Sequence, residues 1–160
     1  MENKVTYQAR QSGKIMLNAN EAGENLSEEM MAKVIEAVRS VSFNRYPENT
    51  QIRLRQAYGK CIGKDEDQII AGNGSDQLLG YLIGKLAGRG GKVYTFDPDF
   101  SMYDYYASSY GAEMIKYTCR EDGSLDIDAF IEEGKKKGAD LIIFSNPNNP
   151  SGHYLSIDEV

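Results

Sequence analysis

Apolar residues recur at helical spacing along much of this chain. Met30, Val34, Ala37, Val38 and Val41 follow the start signal Asn25-Leu26-Ser27-Glu28. Leu54, Ala57, Tyr58, Cys61 and Ile62 repeat the pattern and close on Gly63, where a left-handed residue ends helices well. Leu78, Leu79, Leu82, Ile83 and Leu86 give a strongly amphipathic helix. Tyr103, Tyr106, Ala107 and Tyr110 give another, stopped by Gly111, and Ile127, Phe130 and Ile131 mark a last one after the turn Asp122-Gly123. Between them lie short apolar runs that read as strands: Gln68–Ala71, Val93–Phe96, Glu113–Tyr117 and Asp140–Phe144. From residue 50 onward helix and strand alternate, which predicts an α/β fold with a mainly parallel sheet, layered α/β/α.

The first forty residues differ. Before Asn25 there is no clear period, only a short stretch Lys14–Asn18 that reads as extended. Residues 1–40 are therefore expected to be an N-terminal arm plus one helix outside the sheet, and residues 41–160 the main α/β domain. Ser156-Ile157-Asp158-Glu159 has the capping-box spacing of a helix start, and Val160 follows directly. The expectation is that the chain is the first part of a larger protein.

Composition narrows the classes. Of 160 residues 41% are hydrophobic, ordinary for a soluble domain. Neither a signal peptide nor an apolar run of membrane-spanning length is visible, so the expected location is cytoplasmic. The net charge of -6 gives no electrostatic case for nucleic acid or an anionic membrane. Cys61 and Cys119 lack metal spacing and read as free thiols; no metal site is expected. Lys135-Lys136-Lys137 reads as a solvated helix end. His153, the single histidine, has no nucleophile near it in sequence and reads as a loop residue.

The candidate chemistry lies in the segments that follow strands. Gly72-Asn73-Gly74-Ser75-Asp76 runs from a strand candidate into a helix, where unpaired amides at the positive end of the dipole suit a phosphate and Ser75 adds a hydroxyl. Equally, Ser75 or Asp76 could simply cap the helix. Asp97-Pro98-Asp99-Phe100-Ser101 places Phe100 over the same edge, as a ligand-facing ring or as an ordinary core residue. Tyr46 precedes Pro47 and is expected to be extended, its hydroxyl reaching a polar partner or standing in a plain turn. In Ser145-Asn146-Pro147-Asn148-Asn149-Pro150-Ser151-Gly152 the prolines cannot extend a sheet and fix a tight polar loop. Asn149, flanked by such bonds, is the sharpest candidate for a hydrogen bond to a ring oxygen; the bland alternative is a surface turn. The Asn149–Pro150 bond is expected to be cis.

These segments in order, with Leu17-Asn18-Ala19-Asn20-Glu21, Arg45-Tyr46-Pro47 and Pro98–Tyr103, resemble the histidinol-phosphate aminotransferases, pyridoxal-phosphate enzymes of the aspartate-aminotransferase fold type. The resemblance implies that 41–160 is an incomplete cofactor-binding large domain and that 1–40 belongs to a smaller one. It implies that Gly74, Ser75 and Asp76 hold the cofactor phosphate. Phe100, where the family more often has tyrosine, would stack on the pyridine ring, and Asn149 would bond its 3-oxygen. Tyr46 would reach the neighbouring site of a homodimer, and Asn20 would lie near the substrate. The implied reaction moves an amino group between an amino-phosphate and a 2-oxo acid.

The chain departs from the family after the first motif, reading Asn20-Glu21-Ala22-Gly23 where Asn-Glu-Asn-Pro is usual. The family's Schiff-base lysine stands in a motif this chain does not contain. As a free polypeptide it is therefore expected not to transaminate. A threonine-phosphate decarboxylase-like enzyme on the same scaffold is one alternative, and a non-catalytic truncated remnant is another. A nucleotide-dependent oxidoreductase is a third, because Gly72 and Gly74 with Asp97 echo a dinucleotide fingerprint. Gln77 stands where that fingerprint needs a glycine.

Overall fold

A computed structural model describes Ile15 and residues 21–160. Asn20, with the arm before it, lies outside the described residues. Two compact units form, one ending at Ile69 and the other spanning Ile70–Val160.

In the first unit, α1 (Glu28–Arg39) starts where expected, with the Ser27 hydroxyl accepting the Met30 amide at 3.2 Å. Helix α2 (Ile52–Ile62) ends on Gly63 in the left-handed region. Its amino end is capped from upstream: the Glu48 carboxylate accepts the Ile52 amide at 2.8 Å and the Thr50 hydroxyl at 2.6 Å. The Thr50 hydroxyl, followed by the Ile52 amide, holds the Glu48 carboxyl below its ordinary range.

One expectation fails here. Gln68–Ala71 is not a strand: Glu66–Gln68 forms a 3-10 turn fixed by reciprocal capping between Asp65 and Gln68, and Ile69 is extended without a ladder partner. A strand needs a neighbour, and none is present among the described residues. The capping box wins because its hydrogen bonds are local.

The second unit carries the sheet. Strands β1 (Lys92–Asp97), β2 (Glu113–Thr118) and β3 (Leu141–Ile142) lie in the order β2-β1-β3, all parallel. Helices α3 (Gly74–Leu86), α4 (Met102–Tyr110) and α5 (Ile127–Lys137) connect or flank them. Because side chains alternate along a strand, β1 serves two cores. Val93 packs with Ile83, Ala87 and Ala107 of α3 and α4, whereas Tyr94 and Phe96 pack with Phe130 of α5 and with Leu155. Phe130 stacks on Tyr94 at 4.7 Å between centroids and meets Phe96 edge-on at 4.6 Å. The expected α/β/α layering is present. β3 is shorter than expected: the ladder takes Leu141 and Ile142, then the Ile143 amide donates to the Tyr94 carbonyl, and the pairing stops. No described helix is long and apolar enough to cross a membrane.

The fully buried Tyr94 hydroxyl has no partner among the described residues. An orphaned buried hydroxyl costs free energy that its deletion recovers. Tyr94→Phe is predicted to raise stability by about 1 kcal/mol, read as a higher urea midpoint at unchanged slope. Burial also pushes two phenols up to about 12, Tyr94 with Glu133 adding to it and Tyr103 with Asp99 adding to it. The folded chain then holds protons that the unfolded chain releases from pH 10.0, the ordinary value. Titration of these phenols leaves stability unchanged below that pH and lowers it as pH rises toward about 12. Urea midpoints measured on either side of pH 10.0 should show the fall; a flat profile would contradict it.

Candidate functional site

Helix α3 opens on Gly74, whose φ of +76° places it in the region that favours glycine. Neither Ser75 nor Asp76 caps the helix: no side-chain cap bond is made, and the Gln77 side chain instead accepts the Asn73 amide at 2.7 Å. The side chain of Gln77 thus folds back over the turn that precedes the helix. The backbone amides of Ser75 and Asp76 find no acceptor among the described residues, and both residues are exposed. Two free donors at the positive end of a helix make an anion cradle.

Two glycines one turn apart fix where that cradle sits. The Tyr106 ring lies over Gly80 and the Tyr110 ring over Gly84, where a Cβ would come within 3.3 Å and 2.9 Å of them. The contacts advance by four residues on both helices, so α3 and α4 run in the same direction. Ser75 is about 1.4 turns before Gly80, and Phe100 lies a similar number of residues before Tyr106, so both lie at the carboxyl end of β1. The side-chain charge of Asp76 agrees: burial pushes the Tyr106 phenol up, and the Asp76 carboxylate is the next cause.

Phe100 is half-buried and joins neither core cluster. Its ring meets Tyr103 edge-on at 5.6 Å. Its amide donates to Asp99 Oδ1 at 2.7 Å. That carboxylate, which sequence reasoning passed over, also accepts the Thr95 hydroxyl at 3.1 Å and both the amide and the hydroxyl of Ser145. Ser145 lies in the loop after β3, and its hydroxyl accepts the Asn149 amide at 2.8 Å. The segment Asp97–Ser101 and the Asn-Pro loop are therefore locked together. Asn148 Nδ2 adds a bond to the Pro98 carbonyl at 3.2 Å.

The structure also separates the three asparagines of that loop. Asn146 exchanges two bonds of 2.9 Å with the Leu155 backbone. Asn148 accepts the Ser151 amide and hydroxyl. The Asn149 side chain has no partner among the described residues and is exposed. Buried or bonded amides are committed; this one is not. Asn149–Pro150 is cis as expected, and so are Asp97–Pro98 and Asn146–Pro147. Behind the loop, the left-handed Gly123 lies against Ser151 and His153, since a Cβ there would meet Ser151 Cβ at 3.3 Å.

Gly74, Ser75, Asp76, Phe100 and Asn149 thus share one edge of one sheet. Tyr46 belongs to the other unit and is wholly exposed, at 102% of its reference area. No cluster of three metal-ligating side chains occurs among the described residues. Cys61 and Cys119 are free, and burial pushes the Cys119 thiol up.

Comparison with known proteins gives the following. The family model "Aminotransferase class I and II" matches residues 12–160. Histidinol-phosphate aminotransferases from Clostridium kluyveri and Clostridium novyi are 36% and 40% identical to the chain over 91% and 89% of its length. The chain spans only 42% and 40% of the length of these relatives. The crystal structure of histidinol-phosphate aminotransferase from Sinorhizobium meliloti, in complex with pyridoxal-5'-phosphate, has the same fold. Its TM-score is 0.73 at 23% identity, covering 82% of this chain and 35% of that one.

The Asp99 cluster predicts a stability effect. Asn at this position keeps one acceptor and turns a donor toward the Ser145 amide. Asp99→Asn should therefore cost about 2 kcal/mol, the range for charged hydrogen bonds. Urea unfolding measures it, and a cost below about 0.5 kcal/mol, the usual range of surface changes, would contradict the cluster's importance.

Proposed function

The chain belongs to the class I and II aminotransferase family, and on that premise we propose that it holds pyridoxal phosphate at the carboxyl edge of its sheet. One observation carries the reading. Unpaired donors of this edge include the first amides of α3 and the side chain of Asn149, with the half-buried ring of Phe100 on the same side. Such a set fits a phosphorylated aromatic ring: donors for the phosphate, a face for the ring, an amide for the ring oxygen. Ser75 adds its hydroxyl to the phosphate, and Gly74 leaves the approach open, with nothing within 4 Å of where its Cβ would be.

When bound, the cofactor supplies an electron sink for negative charge developing on a substrate carbon. The chain's residues do the positioning. The α3 amides fix the phosphate, and Phe100 sets the plane of the ring. Asn149 donates to the 3-oxygen and favours its ionised form. Asp76 keeps its carboxylate at the first turn of the helix, where the dipole favours a negative charge.

The reading extends, by the relatives, to amino transfer between an amino-phosphate and a 2-oxo acid in the cytoplasm. It includes a homodimer in which Tyr46 reaches the neighbouring site, Asn20 near the substrate, and residues 1–40 in the smaller domain. The 160-residue chain by itself is inactive on this proposal, because none of its lysines stands in the family's anchoring motif.

Titration with pyridoxamine 5'-phosphate, followed by amide resonances, tests the binding reading. Signals of Ser75–Gln77, Phe100 and the Asn149 side chain should move with one affinity, while inorganic phosphate moves only the first group. Asn149→Ala should weaken pyridoxamine phosphate about tenfold, the loss of one hydrogen bond to a charged acceptor, and leave inorganic phosphate unchanged. Movement of one group alone, or an affinity untouched by the substitution, would overturn it.

A further inference from the structure

The ladder between β1 and β3 ends early, yet the loops beyond it stay in register. β3 pairs only Leu141 with Val93 and Ile142 with Tyr94, and the last backbone bond is Ile143 N–H to the Tyr94 carbonyl. Past that point side chains take over. The Asn149 amide donates to the Ser145 hydroxyl at 2.8 Å, the Ser145 hydroxyl donates to Asp99 Oδ1, and the same oxygen accepts the Phe100 amide at 2.7 Å. Three bonds thus join the backbones of Phe100 and Asn149, although they are far apart in sequence.

We propose that Asp99 and Ser145 are positioning residues that hold Phe100 and Asn149 in one frame, so that the ring face and the ring-oxygen donor keep a fixed separation. The inference rests on the reading that these two residues meet the cofactor ring. The residue types fit the role. Ser145 Oγ gives its proton to Asp99 and accepts the Asn149 N–H, a double duty open to a hydroxyl and closed to alanine. Asp99 receives four protein donors on two oxygens and needs none of its own, which suits an ionised carboxylate. Thr95, buried on β1, anchors the carboxylate from below.

The test uses the 160-residue chain with Ser145→Ala, Ser145→Thr and Asn149→Ala, read by amide hydrogen exchange and by pyridoxamine phosphate affinity. Unchanged exchange in α5 verifies the fold of each variant. Without ligand, Ser145→Ala should speed Asn149 exchange about tenfold, one hydrogen bond's worth, and Ser145→Thr should restore it. With ligand, Ser145→Ala should weaken pyridoxamine phosphate at least as much as it loosens the loop, leave inorganic phosphate alone, and again be rescued by threonine. Native exchange in Ser145→Ala overturns the frame. Faster exchange with native affinity, while Asn149→Ala binds weakly, overturns the positioning role. Native affinity in Asn149→Ala instead overturns the cofactor reading itself, and the exchange data then judge the frame alone.

Discussion

Parallel strands deliver their loops to a common edge, but nothing in a sheet ladder orders a loop once its strand has ended. In this chain the ordering falls to the carboxylate of Asp99. It accepts donors from β1 through Thr95, from its own loop through Phe100, and from the loop after β3 through Ser145. A neutral side chain cannot gather so many donors without presenting one of its own. The relative placement of Phe100 and Asn149 therefore depends on a charged group that touches no ligand in the proposed site.

A second constraint is steric. Gly80 and Gly84 let the rings of Tyr106 and Tyr110 lie directly on α3. Close approach in the same direction brings the amino ends of α3 and α4 level with the end of β1. The free amides of Ser75 and Asp76 then sit at the edge where the Asp99 frame holds its two loops. Sheet, helix pair and side-chain frame each contribute one part of a surface suited to a phosphorylated ring. Family membership supplies the name of the group that fits it.

Local signals were well read. Ser27, Gly63 and Gly111 mark helix ends because capping is decided within a turn, and the unbroken burial of β1 follows from the helices packed on both of its faces. Gln68–Ala71 misled for the opposite reason: apolar character suits a strand, but strand formation needs a neighbour, and the Asp65–Gln68 cap is local and stronger. Asp99 and Ser145 left no signal in one sequence, since their contact joins residues separated by 46 positions. The choice of Asn149 over Asn146 and Asn148 became physical only when Leu155, Ser151 and Pro98 were seen to occupy the other two. Asn20 lies outside the described residues, and Tyr46 belongs to the unit that ends at Ile69.

The central claim is that one sheet edge gathers an anion cradle, an aromatic face and a free amide around a single ring. A crystal structure of the chain with pyridoxamine 5'-phosphate bound tests this most directly. The account predicts the phosphate on the amides of Ser75 and Asp76, the ring plane against Phe100 and the 3-oxygen within hydrogen-bond reach of Asn149 Nδ2. A ligand held elsewhere, or a phosphate at α3 with its ring turned away from Phe100 and Asn149, would contradict it.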